Sequence, residues 1–182
     1  MLSYEQYRAI AALSLLAGCS LTFFGCASSA KPAAMVPERL PAVRQTGSSV
    51  STKVLGGEQT NPMWMSKISS EDFRIALDQA LIDSGLFGEV VLVNAAEYRL
   101  EVFLLSVDQP ALGLDMTVKL KARWRLTRAG ENNSLWEQVI ATAYKAKFGE
   151  SVVAVTRLRK ANEGAARENI AEGLRRLSQA DF

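Results

Sequence analysis

The chain has 182 residues, enough for one domain with a leader and a connecting segment, and short for two. Its 21 basic and 19 acidic residues leave a formal net charge of +2, which gives no electrostatic basis for a nucleic-acid partner. It contains no histidine, and its two cysteines, Cys19 and Cys26, both fall in the first apolar segment. The rest of the chain therefore lacks the commonest general base and zinc ligand, and any thiol for a disulfide, a cluster or a nucleophile.

Residues 1–8 are polar, Arg8 is the last charge, and 9–30 is an uncharged run ending before Lys31. That is the layout of an export signal, although Glu5 cancels the positive charge of the first segment. Within the run stands Leu16-Ala17-Gly18-Cys19, which resembles the lipobox of bacterial lipoproteins. The resemblance implies a signal peptide over 1–18, diacylglycerol on the Cys19 thiol and a further acyl chain on the freed amine. One acyl chain holds a protein to a bilayer only marginally, at roughly 0.8 kcal/mol per buried CH₂, and several hold it effectively for good. Phe23-Phe24-Gly25-Cys26 is a second candidate; its phenylalanines fit the motif less well, and the Ala-Ser-Ser-Ala stretch after it fits better. In lipoproteins of this kind an aspartate after the cysteine retains the protein at the inner membrane. Ser20 and Ala27 stand there instead, so the resemblance implies the outer membrane, periplasmic side. Two alternatives remain: an uncleaved transmembrane helix, and a buried first helix of a soluble protein.

Pro32, Pro37 and Pro41, followed by Ser48, Ser49 and Ser51, read as a flexible tether over 19–48, with a single domain over 49–182. A first strand is expected at 49–55, closed by Gly56-Gly57. In the following loop, Trp64 and Met65 offer either a partner surface or a cover for their own core. Ser69-Ser70-Glu71-Asp72 starts a helix with Phe73, Leu77, Ala80 and Leu81 on one face and Gly85 as its cap. Antiparallel strands are expected next: 90–93, then the alternating Tyr98, Leu100, Val102 and Leu104, then 116–127, the clearest alternation in the chain. A turn at 129–133 leads into a returning strand over 135–148. A last helix over 152–178 carries Leu158, Ala165, Ile170 and Leu174 on its apolar stripe. Glu163–Arg167 and Glu172–Arg176 are its expected i,i+4 pairs, and Gly164 and Gly173 its expected sites of close packing. The expected fold is α+β, a two-layer sandwich of one antiparallel sheet with two helices packed on one face and a polar opposite face.

Lys119, Lys121, Arg123 and Arg125 share the outward face of 116–127. They form either a basic stripe for an anionic lipid, a glycan or an acidic partner, or a solvated face paired with Glu101 and Glu137 on neighbouring strands. Asp108 and Asp115 flank a turn and suit turn-capping better than cation binding. No catalytic set, metal site or cofactor motif is visible, and Trp124 and Trp136 suit packing. The element order also resembles two groups of envelope lipoproteins: auxiliaries of lipid-transporting ABC systems, and plugs of the lipopolysaccharide translocon. It carries over no functional residue. The expected function is therefore a non-catalytic assembly or transport accessory, with a membrane held through the anchor and an envelope protein as partners. The alternatives are a lipid- or glycan-binding protein using a groove between helices and sheet, which a bulky residue at an interior position such as Ala80 would block, and, last, an enzyme.

Overall fold

The computed structural model describes residues 28–40, 45–60, 66–91, 96–111 and 113–182. In chain order they form helix α1 (Pro32–Met35), strand β1 (Ser49–Leu55), helix α2 (Ser70–Ser84), strands β2 (Glu89–Val90), β3 (Tyr98–Asp108), β4 (Met116–Arg128) and β5 (Ser134–Ala146), a 3₁₀ turn (Phe148–Glu150) and helix α3 (Ala154–Leu177). Among the described residues no helix is long and apolar enough to cross a membrane. Cys19, Cys26 and the uncharged run before residue 28 lie outside them, as do Trp64 and Met65.

The fold is α+β, but the sheet is mixed. Its strand order is β2-β1-β3-β4-β5, and β1 runs parallel to both β2 and β3. Only β3–β4 and β4–β5 are antiparallel. The expectation of an antiparallel sheet fails because α2 stands between β1 and the strands after it. A helix carries the chain back to the end where the previous strand began, so the next strand to pair with it runs the same way. Tight turns suffice only for the later hairpins.

Alternation sorts the side chains. Val50, Thr52 and Val54 on β1 stand opposite Tyr98, Leu100 and Val102 on β3, which stand opposite Arg128, Leu126 and Trp124 on β4. Apart from Thr52 and Arg128 these are buried. A register shift between Leu104 and Ser106 returns Val107 to the same face, opposite Leu120. The long helices pack over this face. The Thr52 hydroxyl of β1 bonds to Asp78 of α2. The Trp124 indole N–H of β4 donates to Asn169 Oδ1 of α3 at 3.0 Å.

The helix ends match the sequence reading. Ser69 Oγ accepts from the Asp72 N–H, and Gly85, at φ 62°, returns its N–H to Leu81 and Ile82. Only a residue at ease in left-handed backbone closes a helix this way without strain. In α3, Glu172 pairs with Arg176 at 2.6 Å, as expected. Glu163 does not pair with Arg167. It accepts from the Lys31 N–H at 3.0 Å and pairs with Arg159 at 3.6 Å. Arg167 instead donates to the Ala34 carbonyl at 3.1 Å and stacks over the Tyr144 ring.

Those contacts overturn part of the expected tether. Residues 28–40 lie along α2 and α3, with Ala30 1% and Met35 0% exposed. Residues 45–48 are also held: Thr46 N–H donates to Leu86 O and Gly88 N–H to Ser48 O. Proline-rich composition signals missing helix propensity, and here Pro32 simply occupies the first turn of α1, where its absent N–H leaves nothing unsatisfied. Ala30, Met35 and Pro37 are buried, and Val36 and Leu40 pack against the core, so the segment is docked.

Candidate interaction surface

The outward face of the sheet is built by the same alternation that fills the core. On β4 it carries Thr117, Lys119, Lys121, Arg123 and Arg125. The two guanidinium groups are engaged by β5. Glu137 lies opposite Arg125, with its oxygens 3.8 Å from Arg125 Nε and 3.7 Å from Arg123 Nε. Arg125 also donates to the Asn132 carbonyl at 2.5 Å. The other expected acid, Glu101, faces Arg125 from β3 but forms no ion pair among the described residues. Lys119 and Lys121 likewise have no ion-pair partner among the described residues, although Lys119 faces Asp108 in register. The stripe is thus half paired and half open. Exposed pairs of this length each contribute about 0–1 kcal/mol, so the stripe is not explained as a stabilising device.

The same face is not uniformly polar, contrary to the sequence reading. Leu55, Phe103, Leu105 and Val139 are exposed. Register places three of them in one line: Leu55 opposite Phe103, Phe103 opposite Arg123, Arg123 opposite Val139. A row across four strands therefore reads apolar, aromatic, cationic, apolar. The next positions along the face are Lys121 opposite Ala141 and Lys119 opposite Ala143, beside a shallow cleft of about 310 Å³ that both lysines line. Phe103 and Val139 could have been found in the sequence, because each breaks the polar half of an otherwise regular alternation. The row itself could not, since it depends on three strand registers.

The remaining candidates are accounted for locally. Trp124 is fully buried and Trp136 packs against the core. Asp115 accepts from the Phe148 N–H and pairs with Lys145 at 2.8 Å; these contacts, the lysine first, hold its carboxyl below the usual range. Asp78, between Arg74 and Thr52, is pushed up by burial against the opposing pull of Thr52 and Arg74. Among the described residues no group of three or more acidic or sulfur side chains is placed to hold a metal ion. Ala80, the marker for a groove between helices and sheet, is closed into the core. A cleft of about 580 Å³ opens elsewhere, at the C-terminal end of α3, between Leu86, Tyr98, Leu177 and Phe182. The rings of Phe87, Tyr98 and Phe182 meet there at 5.7–6.1 Å.

No protein-family model matches the sequence, and no curated protein does. Solved structures share the fold. The chain is similar to protein XCC0632 of Xanthomonas campestris, of family DUF330, with TM-score 0.59 and 13% identity over 84% of this chain and 98% of that one. It is similar to the hypothetical protein CT253 of Chlamydia trachomatis, with TM-score 0.54 and 9% identity over 74% and 98%. It is also similar to PelC of Paraburkholderia phytofirmans, a dodecamer, with TM-score 0.50 and 14% identity over 78% and 94%. At these identities the likeness is one of fold. It extends over nearly the whole of each of those chains.

Proposed function

We propose that this chain is a non-catalytic bacterial envelope lipoprotein, acylated at Cys19 or Cys26 and held on the periplasmic side of the outer membrane. Its domain is a two-layer α+β sandwich whose open sheet face docks on a larger envelope complex as an assembly or transport accessory. The observation that carries the docking reading is the exposed row Leu55–Phe103–Arg123–Val139. Exposed aromatic and aliphatic groups around an arginine match the composition of interface cores, where aromatics and arginine are enriched. Lipidation rests on the Leu16–Cys19 motif, and the absence of histidine, with thiols confined to the leader region, favours a binding role over a catalytic one.

The test is affinity purification of the acylated chain from its native envelope in mild detergent. A membrane protein partner should co-purify and be lost from Phe103→Ala and Arg123→Glu, but not from Gln79→Ala on the outer face of α2. Equal recovery with all three variants contradicts docking through the sheet face. Sedimentation of the purified protein separates a foreign partner from self-association, the arrangement PelC adopts. A second reading, lipid or glycan binding, is favoured by the aromatic-walled cleft at Tyr98 and Phe182. It predicts a co-purifying small ligand in native mass spectra that Tyr98→Ala releases. Turnover of an envelope substrate abolished by Asp78→Asn would overturn the non-catalytic reading.

A further inference from the structure

The loops at the N-terminal end of α3 carry a second exposed apolar cluster, at the end of α3 nearer to Ser28. Leu114 and Val152 are 73% and 77% exposed, and Phe148 and Val153 about half. They sit on two neighbouring connections, β3–β4 and β5–α3, which are fastened together. The buried Arg157 guanidinium donates to the Ser151 and Gly113 carbonyls, one on each connection, and lies 5.2 Å from the Phe148 ring centre. Asp115 also ties the β3–β4 connection to the β5–α3 connection through the Phe148 N–H, and to the end of β5 through Lys145. The apolar side chains are therefore presented by a braced platform. Lys147 is exposed beside them, and Lys160 donates to the Glu150 carbonyl on the same turn. The carboxylates in this neighbourhood are already engaged, Asp115 by Lys145 and Glu150 by the Lys147 N–H.

The path of the chain orients this end. Ser28 meets Arg159, Lys31 meets Glu163 and Ala34 meets Arg167. The segment thus runs along α3 towards its C-terminus. Followed backwards from Ser28, it points to the turn that carries Val152 and Val153, about 9 Å away at 1.5 Å per helical residue. From Cys26 to Ser28 the chain reaches at most about 7 Å, and from Cys19 about 32 Å. The far end of α3 at Leu177 is about 27 Å beyond Arg159, beyond the reach of a tether from Cys26 and close to the full extension of one from Cys19.

We infer that the Leu114–Phe148–Val152–Val153 platform rests on the membrane that holds the anchor. Its apolar tips enter the headgroup layer, and Lys147 and Lys160 lie against anionic phospholipid headgroups. This leaves the open sheet face free for a protein partner. The inference rests on the anchoring reading above.

It is tested with the acylated full chain in vesicles of phosphatidylethanolamine and phosphatidylglycerol. The cysteine that is not acylated is replaced by serine, and a nitroxide is attached at Val152→Cys or, in a second sample, Gln179→Cys. Both positions are exposed, so neither label disturbs the core. The expected result is that the protein floats with the vesicles and that the ratio of oxygen to water-soluble nickel-chelate collisions is several-fold higher at position 152 than at 179. Flotation with both labels equally aqueous overturns the docking while leaving the anchor standing. Flotation with label 179 the more immersed overturns it by showing the reverse orientation. Failure to float removes the anchor and the docking together.

Discussion

Replacing Gly173 by alanine should destabilise the domain, although the same change in an isolated helix would favour it. An interior glycine-to-alanine change is worth about 1 kcal/mol in helix propensity. Against this, a Cβ at position 173 would sit 2.5–2.7 Å from Cζ2, Cη2 and Cε2 of Trp124, where ordinary contact begins at 3.4 Å. The gap must open by nearly 1 Å. Trp124 has no exposed surface into which to move, and its indole is pinned to Asn169 at 3.0 Å. The helix must therefore lift from β4 or the indole must give up that bond. Overpacking of this kind costs about 1–3 kcal/mol and loss of a buried hydrogen bond adds about 1 kcal/mol. After subtracting the propensity gain, the expected net loss is about 1–3 kcal/mol. Urea denaturation followed by circular dichroism reads it directly, and thermal unfolding should show about 2–4 °C for each kcal/mol. Gly164→Ala is the control. Its Cβ would meet the Tyr144 ring at 2.3 Å, but that ring is half-buried on the edge strand β5 and can swing outward, giving up its stacking with Arg167. Its cost should be smaller, and Trp124→Phe combined with Gly173→Ala should recover part of the loss. A Gly173→Ala protein as stable as its parent would refute the close approach of α3 to Trp124.

Asn169→Ala should cost about 2–4 kcal/mol, read by urea denaturation. Its side chain accepts from Trp124 and donates to the Ile140 carbonyl and the Thr142 hydroxyl, so its removal leaves buried polar groups unpaired. Ser69→Ala should cost about 0.5–2 kcal/mol by loss of the bond to the Asp72 N–H, with the loss confined to α2 in hydrogen exchange. Glu172 is held down to about 2 by its bonds to Arg175 and then Arg176, against burial. A depressed carboxyl contributes stability above its unfolded value of 4.5, and that contribution disappears as pH falls towards 2. Because both arginines are partly exposed, the effect is modest. Glu172→Gln should make the acid limb of a stability–pH curve shallower between those values, with little change in slope above pH 5.

Much of the fold was legible because its local signals are unambiguous. Ser69 and Gly85 bracket α2, and six alternating apolar residues define β4. The direction of β1 was not legible. Its pairing partner, β3, lies beyond α2, and a strand's own residues do not say which way its neighbour runs. The packed segment at 28–40 was also missed, since its buried residues, Ala30, Met35 and Pro37, leave no periodic trace in a proline-punctuated stretch. Of the surface residues, the charged members of β4 were visible from period 2 alone. Their apolar neighbours were visible singly, as Phe103 and Val139, but became a row only when register brought Leu55, Phe103, Arg123 and Val139 into line. The same held for α3, where the expected Glu163–Arg167 pair gave way to contacts with α1, because spacing along a helix cannot foresee a third element lying across it.

The intact mass of the protein extracted from its native membrane tests the account most directly. A polypeptide beginning at Cys19 or Cys26 and heavier by a diacylglycerol and a further acyl chain is the predicted result. An unmodified chain that retains Met1 would contradict it.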